Sequence, residues 1–414
     1  MTTLRWIALF LTVSAAGTEA QTRQSDGTLP QPYLAFINAN VVDVRAGVVK
    51  RNVTVVVRDG RIASVAEGAP PSTAQIIDLK GKYLVPGLMD AHTHVDNLAA
   101  AKRAIETGVT TVRSASVTSF RDVALREMAK AGYLVGPDVL AAGLFVSPVL
   151  GDAILADPSL GNLIVGVTTT ERLRQLVRAN LANGVDVIKT RGTERAGLPD
   201  TDPRQQTYTE SELRAVVEEA ATKGVPIMAH AHGDEGAYAA VKAGVRSIEH
   251  GTYMSDSTLA LMQAKGTFMV PTYSTLIDLV EAGGDYDDPV TRVRGQHMLP
   301  RMEETFRNAH RRGIKIVTGA DVGYTPQSVT RVSHEVANFV RLGMTPAEAL
   351  RSATVTAAEL FRIEKKTGAI EPGLEADLIV VEHDPFENIR TLQDVLFVMS
   401  NGRVAVNRLQ FGKT

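Results

Sequence analysis

Between residues 84 and 342 the chain alternates short apolar runs with amphipathic helical patterns, and this alternation limits the folds open to it more than any other feature. The runs are LVPGLMDAHTHV, VTTVRSA, VLAAG, DVIKT, PIMAHAH, RSIEHG, TFMVPT and IKIVTGAD. Helical patterns occupy 97–107, 120–131, 169–183, 210–223, 236–243, 257–264, 291–311 and 334–342. Repeating strand and helix in this way demands parallel strands with helices outside them, and eight strands is the number that closes a (β/α)8 barrel. Capping-box starts at Thr209 with Glu212, and at Thr345-Pro346 with Glu348, support the helix reading.

The two flanks differ from this middle. From Ala35 to Ile77 the runs FINANVVDV, VTVVVRDG and RIASVAEG are short, alternating and β-branched, with Asp59-Gly60 as a hairpin turn. GLEADLIVVEHD and VLFVMSNGRVAVN repeat that character near the other end, with a second hairpin turn at Asn401-Gly402. The expected architecture is therefore α/β: a TIM-like barrel over 81–366, and a small β-sandwich module whose halves, 33–80 and 367–410, come from both chain ends. The first residues, MTTLRWIALFLTVSAAGTEAQ, place Arg5 before an apolar core at Trp6–Val13 and small residues after it. That is the layout of a cleavable secretory signal over 1–20, with an apolar core too short for a stable membrane span, so a periplasmic or secreted protein with no membrane attachment is expected. The chain has no cysteine, which removes disulfides, thiolate ligands and thiol nucleophiles together. A net charge of −2 with 22% charged residues offers no basic surface for nucleic acid.

Chemistry-bearing residues recur at the ends of the apolar runs. His92 and His94, two apart on a strand, project from one face and can grip a single cation. Lys189 ends DVIKT, His230 and His232 end PIMAHAH, His250 ends SIEH and Asp321 ends KIVTGAD. In a barrel these ends meet at the C-terminal face, where the fold places its chemistry.

PGLMDAHTH, the strand-ending lysine, the later histidines and the aspartate of TGAD look like the metal-dependent amidohydrolase superfamily. Within it, AHAHG nearly twenty residues before IEHG is similar to the imidazolonepropionase-related branch, which includes Xaa-Pro dipeptidases and ochratoxin-hydrolysing amidases. The likeness runs from about Phe36 to Val406. It implies two divalent ions, most simply zinc given imidazole and carboxylate donors without thiolates. His92, His94 and Asp321 would hold the more buried ion, and His230 with His250 the more exposed one. Lys189 would bridge them as a carbamate formed with carbon dioxide, since an ammonium has no lone pair to donate. The resemblance also implies a shared hydroxide as nucleophile, Asp321 as general acid and base, and His232 as an oxyanion or substrate contact. Asp90 is expected to support the ligands rather than join them. The implied substrate is a small-molecule amide or dipeptide with a free carboxylate, bound by Arg191 and Tyr208 of the loop RGTERAGLPDTDPRQQTY. Large barrels of this kind often assemble as homo-oligomers. Ser114 departs from the pattern, standing after TTVR where relatives commonly carry aspartate. Two alternatives remain: a one-ion cyclic-amide hydrolase of the imidazolonepropionase type, which needs no carbamate, and a non-catalytic binding protein on the same barrel.

Overall fold

The computed structural model describes residues 33–281, 286 and 288–410, so the expected signal over 1–20 lies outside the described residues. The first strands are β1 (Leu34–Asp43), β2 (Val48–Arg58), β3 (Arg61–Ala66), β4 (Gln75–Asp78) and β5 (Tyr83–Pro86). A parallel run follows: β6 (Leu88–Thr93), β7 (Val109–Ser114), β8 (Asp138–Leu140), β9 (Ile188–Arg191), β10 (Ile227–Ala231), β11 (Ser247–His250) and β12 (Phe268–Val270). The last strands are β13 (Leu378–Val381), β14 (Phe397–Ser400) and β15 (Arg403–Asn407).

The two chain ends share one mixed sheet in the order β15-β14-β13-β5-β1-β2-β3, with β4 also on β1. Asp59 and Gly60 turn β2 into β3 with φ values of 50° and 76°, the left-handed geometry that a tight hairpin requires. Apolar residues of both ends pack over this sheet, and Phe36 meets Phe397 edge to face at 5.5 Å between ring centroids. The run LVPGLMDAHTHV is not one strand but two. Gly87 divides it, because a Cβ there would lie 2.2 Å from Thr110 Oγ1. β5 stays with the mixed sheet while β6 enters the barrel-like domain.

β6, β7 and β8 form one parallel sheet and β9 to β12 another. Every residue of β6, β7, β10, β11 and β12 is buried, as expected for parallel strands covered on both faces. The helices that cover them include Leu98–Glu106, Arg121–Lys130, Thr170–Ala182, Glu210–Ala221, Asp234–Ala243, Asp256–Lys265, Pro289–Arg311 and Val332–Arg341. Both expected capping boxes are present, at Thr209/Glu212 and Thr345/Glu348. The sheets approach through a parallel bridge between Val146 and Thr190. IKIVTGAD runs beside both β12 and β6 without forming a continuous strand, pairing through single bridges at Met269–Ile316 and Thr93–Val322. Its regular pleat is broken by Gly319, where a Cβ would sit 2.9 Å from His92 Cβ, and by Asp321 at φ 51°. Among the described residues no helix is long and apolar enough to cross a membrane.

Close backbone contact sets the spacing between β9 and the helix Asp234–Ala243. A Cβ on Gly236 would lie 2.3 Å from the Gly192 carbonyl oxygen. Gly236→Ala is therefore expected to lower stability by about 1–3 kcal/mol, the usual cost of overpacking. Urea unfolding checks this, and an unchanged midpoint would show that the approach can relax freely.

Candidate metal centre

Seven of the residues singled out above meet at one end of the parallel strands. His92, His94 and Asp321 form one set, and His230, His232 and His250 another; within each, the potential ligand atoms lie within 4.8 Å of one another. Asp321 Oδ1 is 3.3 Å from both His92 Nε2 and His94 Nε2. The sets adjoin through the rings of His92 and His250, 5.2 Å apart between centroids. Lys189 Nζ lies 3.4 Å from His92 Nε2. His250 and Asp321 both hold positive φ, 73° and 51°. Such geometry is uncommon outside glycine, and at these positions it turns a strand-end side chain inward.

Each imidazole has one nitrogen engaged outside the cluster and one left facing into it. His92 Nδ1 meets Glu249 Oε2 at 2.8 Å and His94 Nδ1 donates to the Ser116 carbonyl at 2.8 Å. His230 donates through Nε2 to the Glu194 carbonyl at 2.9 Å, so its Nδ1 is the free atom. Thr252 and Thr272 hydroxyls hold Nδ1 of His232 and His250 at 2.8 and 2.7 Å. Outer partners of this kind fix tautomer and ring direction in metal sites. Burial keeps four of the rings neutral: it pushes His92 down to about 4 and His232 to about 3, and holds His230 and His250 well below the ordinary imidazole value. Burial works to raise the Asp321 carboxyl, but His92 and His94 beside it prevail and hold it far below the carboxylate range. Neutral imidazoles and an ionised carboxylate are the donor states that a divalent cation requires, so these residues fit one.

Arg113 and Glu249 were not anticipated. Glu249, fully buried, takes two bonds from Arg113 Nη2 at 2.9 and 3.1 Å and one from Ser247 Oγ. Burial would raise its carboxyl, yet the Arg113 guanidinium and the His92 ring keep it at about 2. The signal was present: Arg113 is a charged residue inside the otherwise apolar or hydroxyl-bearing run VTTVRSA, and Glu249 is the acidic residue of RSIEHG, directly before His250. Asp90 takes the supporting role expected of it, accepting from the amides of His92 and Ala320 and from the Tyr324 hydroxyl. Ser114 does not line the cavity; its Oγ accepts from the Ser116 amide.

The cluster lines a cavity of about 350 Å³ together with the apolar Phe145, Leu150, Leu276 and Leu279 and the cationic Arg191 and Arg195. Arg191 lies 4.9 Å over the Phe145 ring, pairs with Glu194 through Nη1, and has a buried Nε without a partner. Tyr208 is a correction. Its ring is 1% exposed and its hydroxyl donates to the Val167 carbonyl at 2.9 Å, so it is a core residue with no face on the cavity. An apolar environment around a loop tyrosine, invisible in the one-dimensional pattern, decided this.

A barrel-like parallel fold with histidines and an aspartate at its strand ends is the architecture of a metal-dependent hydrolase. The amidohydrolase family model matches residues 83–405, and the chain belongs to the amidohydrolase family. It is 28% identical over 387 residues to ochratoxinase of Aspergillus niger, covering 83% of this chain and 80% of that protein. A Xaa-Pro dipeptidase solved with methionine in its active site superposes with a TM-score of 0.79 at 30% identity, covering 90% of this chain and 99% of that one. A prolidase complexed with N-methylphosphonate-L-proline gives a TM-score of 0.77 at 26% identity, covering 90% and 99% of the two chains. The protein is a hydrolase acting on amide C–N bonds.

Two outcomes follow from the buried network. Glu249→Gln should weaken metal binding about 10–100-fold, as loss of outer support usually does, and titration against a competing chelator measures it. The metal-free chain should lose stability as pH falls from about 6.5 toward 4, because unfolded imidazoles take up protons near 6.5 that the folded, buried rings refuse. Thermal melts across that window test this, and a flat profile is incompatible with it.

Proposed function

We propose that the chain hydrolyses an amide or peptide bond beside a free carboxylate, in substrates of the dipeptide or N-acyl amino acid class, including ochratoxin-type aryl amides. Two divalent cations, zinc by donor type, would be held by His92, His94 and Asp321 on one side and by His230 and His250 on the other. Lys189 would lie between them as a carbamate. The carrying observation is the pair of adjoining donor sets with the Lys189 amine buried beside them. Burial lowers this amine to about 8, against the opposing pull of Glu249 and Asp321, so a useful fraction is unprotonated and able to add carbon dioxide. When bound, the ions supply an acidified water and polarise the scissile carbonyl.

The side chains supply the rest. Asp321, ionised and within reach of two imidazoles, accepts the proton of the attacking water and returns it to the leaving amine. His232, stacked on His250 at 4.5 Å and held through Nδ1 by Thr252, keeps Nε2 to bond the substrate oxygen. Arg191 and Arg195 receive the substrate carboxylate, and the apolar wall of Phe145, Leu150, Leu276 and Leu279 takes a hydrophobic side chain or aryl group. In this reading the single bridges of IKIVTGAD mark the eighth barrel position, and the mixed sheet of both chain ends is the small β module. Export rests on the N-terminal pattern alone.

Lys189→Ala should reduce bound metal from about two ions per chain to about one and abolish turnover of N-acyl amino acids and dipeptides. Activity that survives with one ion per chain would replace this reading with the one-ion cyclic-amide hydrolase. Arg191→Met should raise KM about 10–100-fold for substrates with a free carboxylate and leave their amidated analogues unaffected, the difference expected for a lost charged hydrogen bond.

A further inference from the structure

A cavity of about 810 Å³ lies away from the metal centre. Its walls come from the opposite ends of the parallel strands: Asp138 opens β8, Asp186 and Pro226 precede β9 and β10, and Arg246 precedes β11. The loop 131–136, the tail of the helix Val355–Phe361 and the β14–β15 hairpin close it.

Its charge is unevenly answered. The acidic residues on its wall already have cations: Asp186 accepts from Arg126 at 2.6 Å and Asp138 from Lys366 at 2.7 Å. Arg113 is bound to Glu249, and Lys130 to Glu127. Among the described residues Arg246, Arg362 and Arg403 form no ion pair with a carboxylate, and only the more distant charges of Glu359 and Glu364 act on Arg246. Arg246 donates from Nε and Nη2 to the carbonyls of Leu360 and Glu359, Arg362 from Nη1 to Gly224, and Arg403 from Nη2 to Gly132. Each therefore keeps further N–H donors beyond those bonds. Arg362 also sits at φ 63° as the C-cap of its helix, where glycine would be unstrained, so a guanidinium is held there at a conformational cost. Burial lowers the half-buried Arg246 guanidinium and the nearby Arg362 charge lowers it further, against a weaker opposing pull from Glu359 and Glu364. Three like charges around one concavity repel, and an anion between them removes that repulsion. The remaining wall is apolar, with Leu134, Val139, Val225 and Ile363.

We propose that this cavity is a binding site, separate from the metal centre, for a small molecule carrying two or more phosphate or carboxylate groups on an apolar body. Arginine suits it because its planar fork bonds such groups in pairs, and the volume falls within the usual range for small-molecule sites.

The test uses the full chain in low salt with 1,3,6-naphthalenetrisulfonate, an aromatic polyanion that does not strip metal ions. Wild type should bind it saturably near one per chain, more weakly as salt rises. The double variant Arg362→Gln, Arg403→Gln alters two exposed side chains, and with an unchanged melting temperature it should bind at least tenfold more weakly. Arg191→Met with Arg195→Met, at the metal-centre mouth, should bind as wild type does. Absence of saturable binding, equal binding by the Arg362/Arg403 variant, or loss of binding in the Arg191/Arg195 variant would each overturn the proposal. None of these outcomes depends on amide hydrolysis, so the proposal and the catalytic reading fail separately.

Discussion

A buried carboxylate needs a partner, and in this chain that requirement links the interior to the metal centre. Glu249 is fully buried among Arg113, Ser247 and His92. Removing one member of a buried ion pair leaves an uncompensated charge that costs about 3–5 kcal/mol, so the three groups hold one another in register. Because Glu249 lies on β11, Arg113 on β7 and His92 on β6, a single ionic cluster ties both parallel sheets together beneath the candidate ligands. The direction of the His92 ring follows from this cluster.

The same economy of partners extends outward. A main-chain carbonyl holds His94 and another holds His230, while threonine hydroxyls hold His232 and His250. Since His230 is held through Nε2 and the others through Nδ1, the five rings can turn their free nitrogens inward from different walls. The positive φ angles of His250 and Asp321 serve the same end. Strain at these two positions persists because the strands on either side, packed against helices, leave the backbone no other path.

The mixed sheet of both chain ends contributes by anchoring the start of β6. Gly87 lets the chain leave β5, which is paired with β1 and β13, and pass directly over Thr110 into β6. His92 and His94 follow within a few residues of that crossing. The opposite ends of the parallel strands carry a second cavity, with several arginines but no histidine in its wall, so the imidazoles gather at one end of the domain alone.

Much of this was legible in one dimension. Strand and helix alternation, both capping boxes and the hairpin turns depend on local periodicity and turn chemistry, and His92, His94, Lys189, His230, His232, His250 and Asp321 were marked by their places at the ends of apolar runs. Other features required contacts between residues far apart in the chain. Tyr208 stood in a polar loop yet its ring packs into the core, Glu249 drew no notice in the sequence yet orients His92, and LVPGLMDAHTHV read as one strand yet divides between two sheets. Sequence alone determined which groups reach the strand ends, because side-chain alternation and hydrophobic period are local. Only the tertiary structure decided which nitrogen each ring offers, which arginines face the cavity and which lack a carboxylate, because those depend on partners brought together by packing.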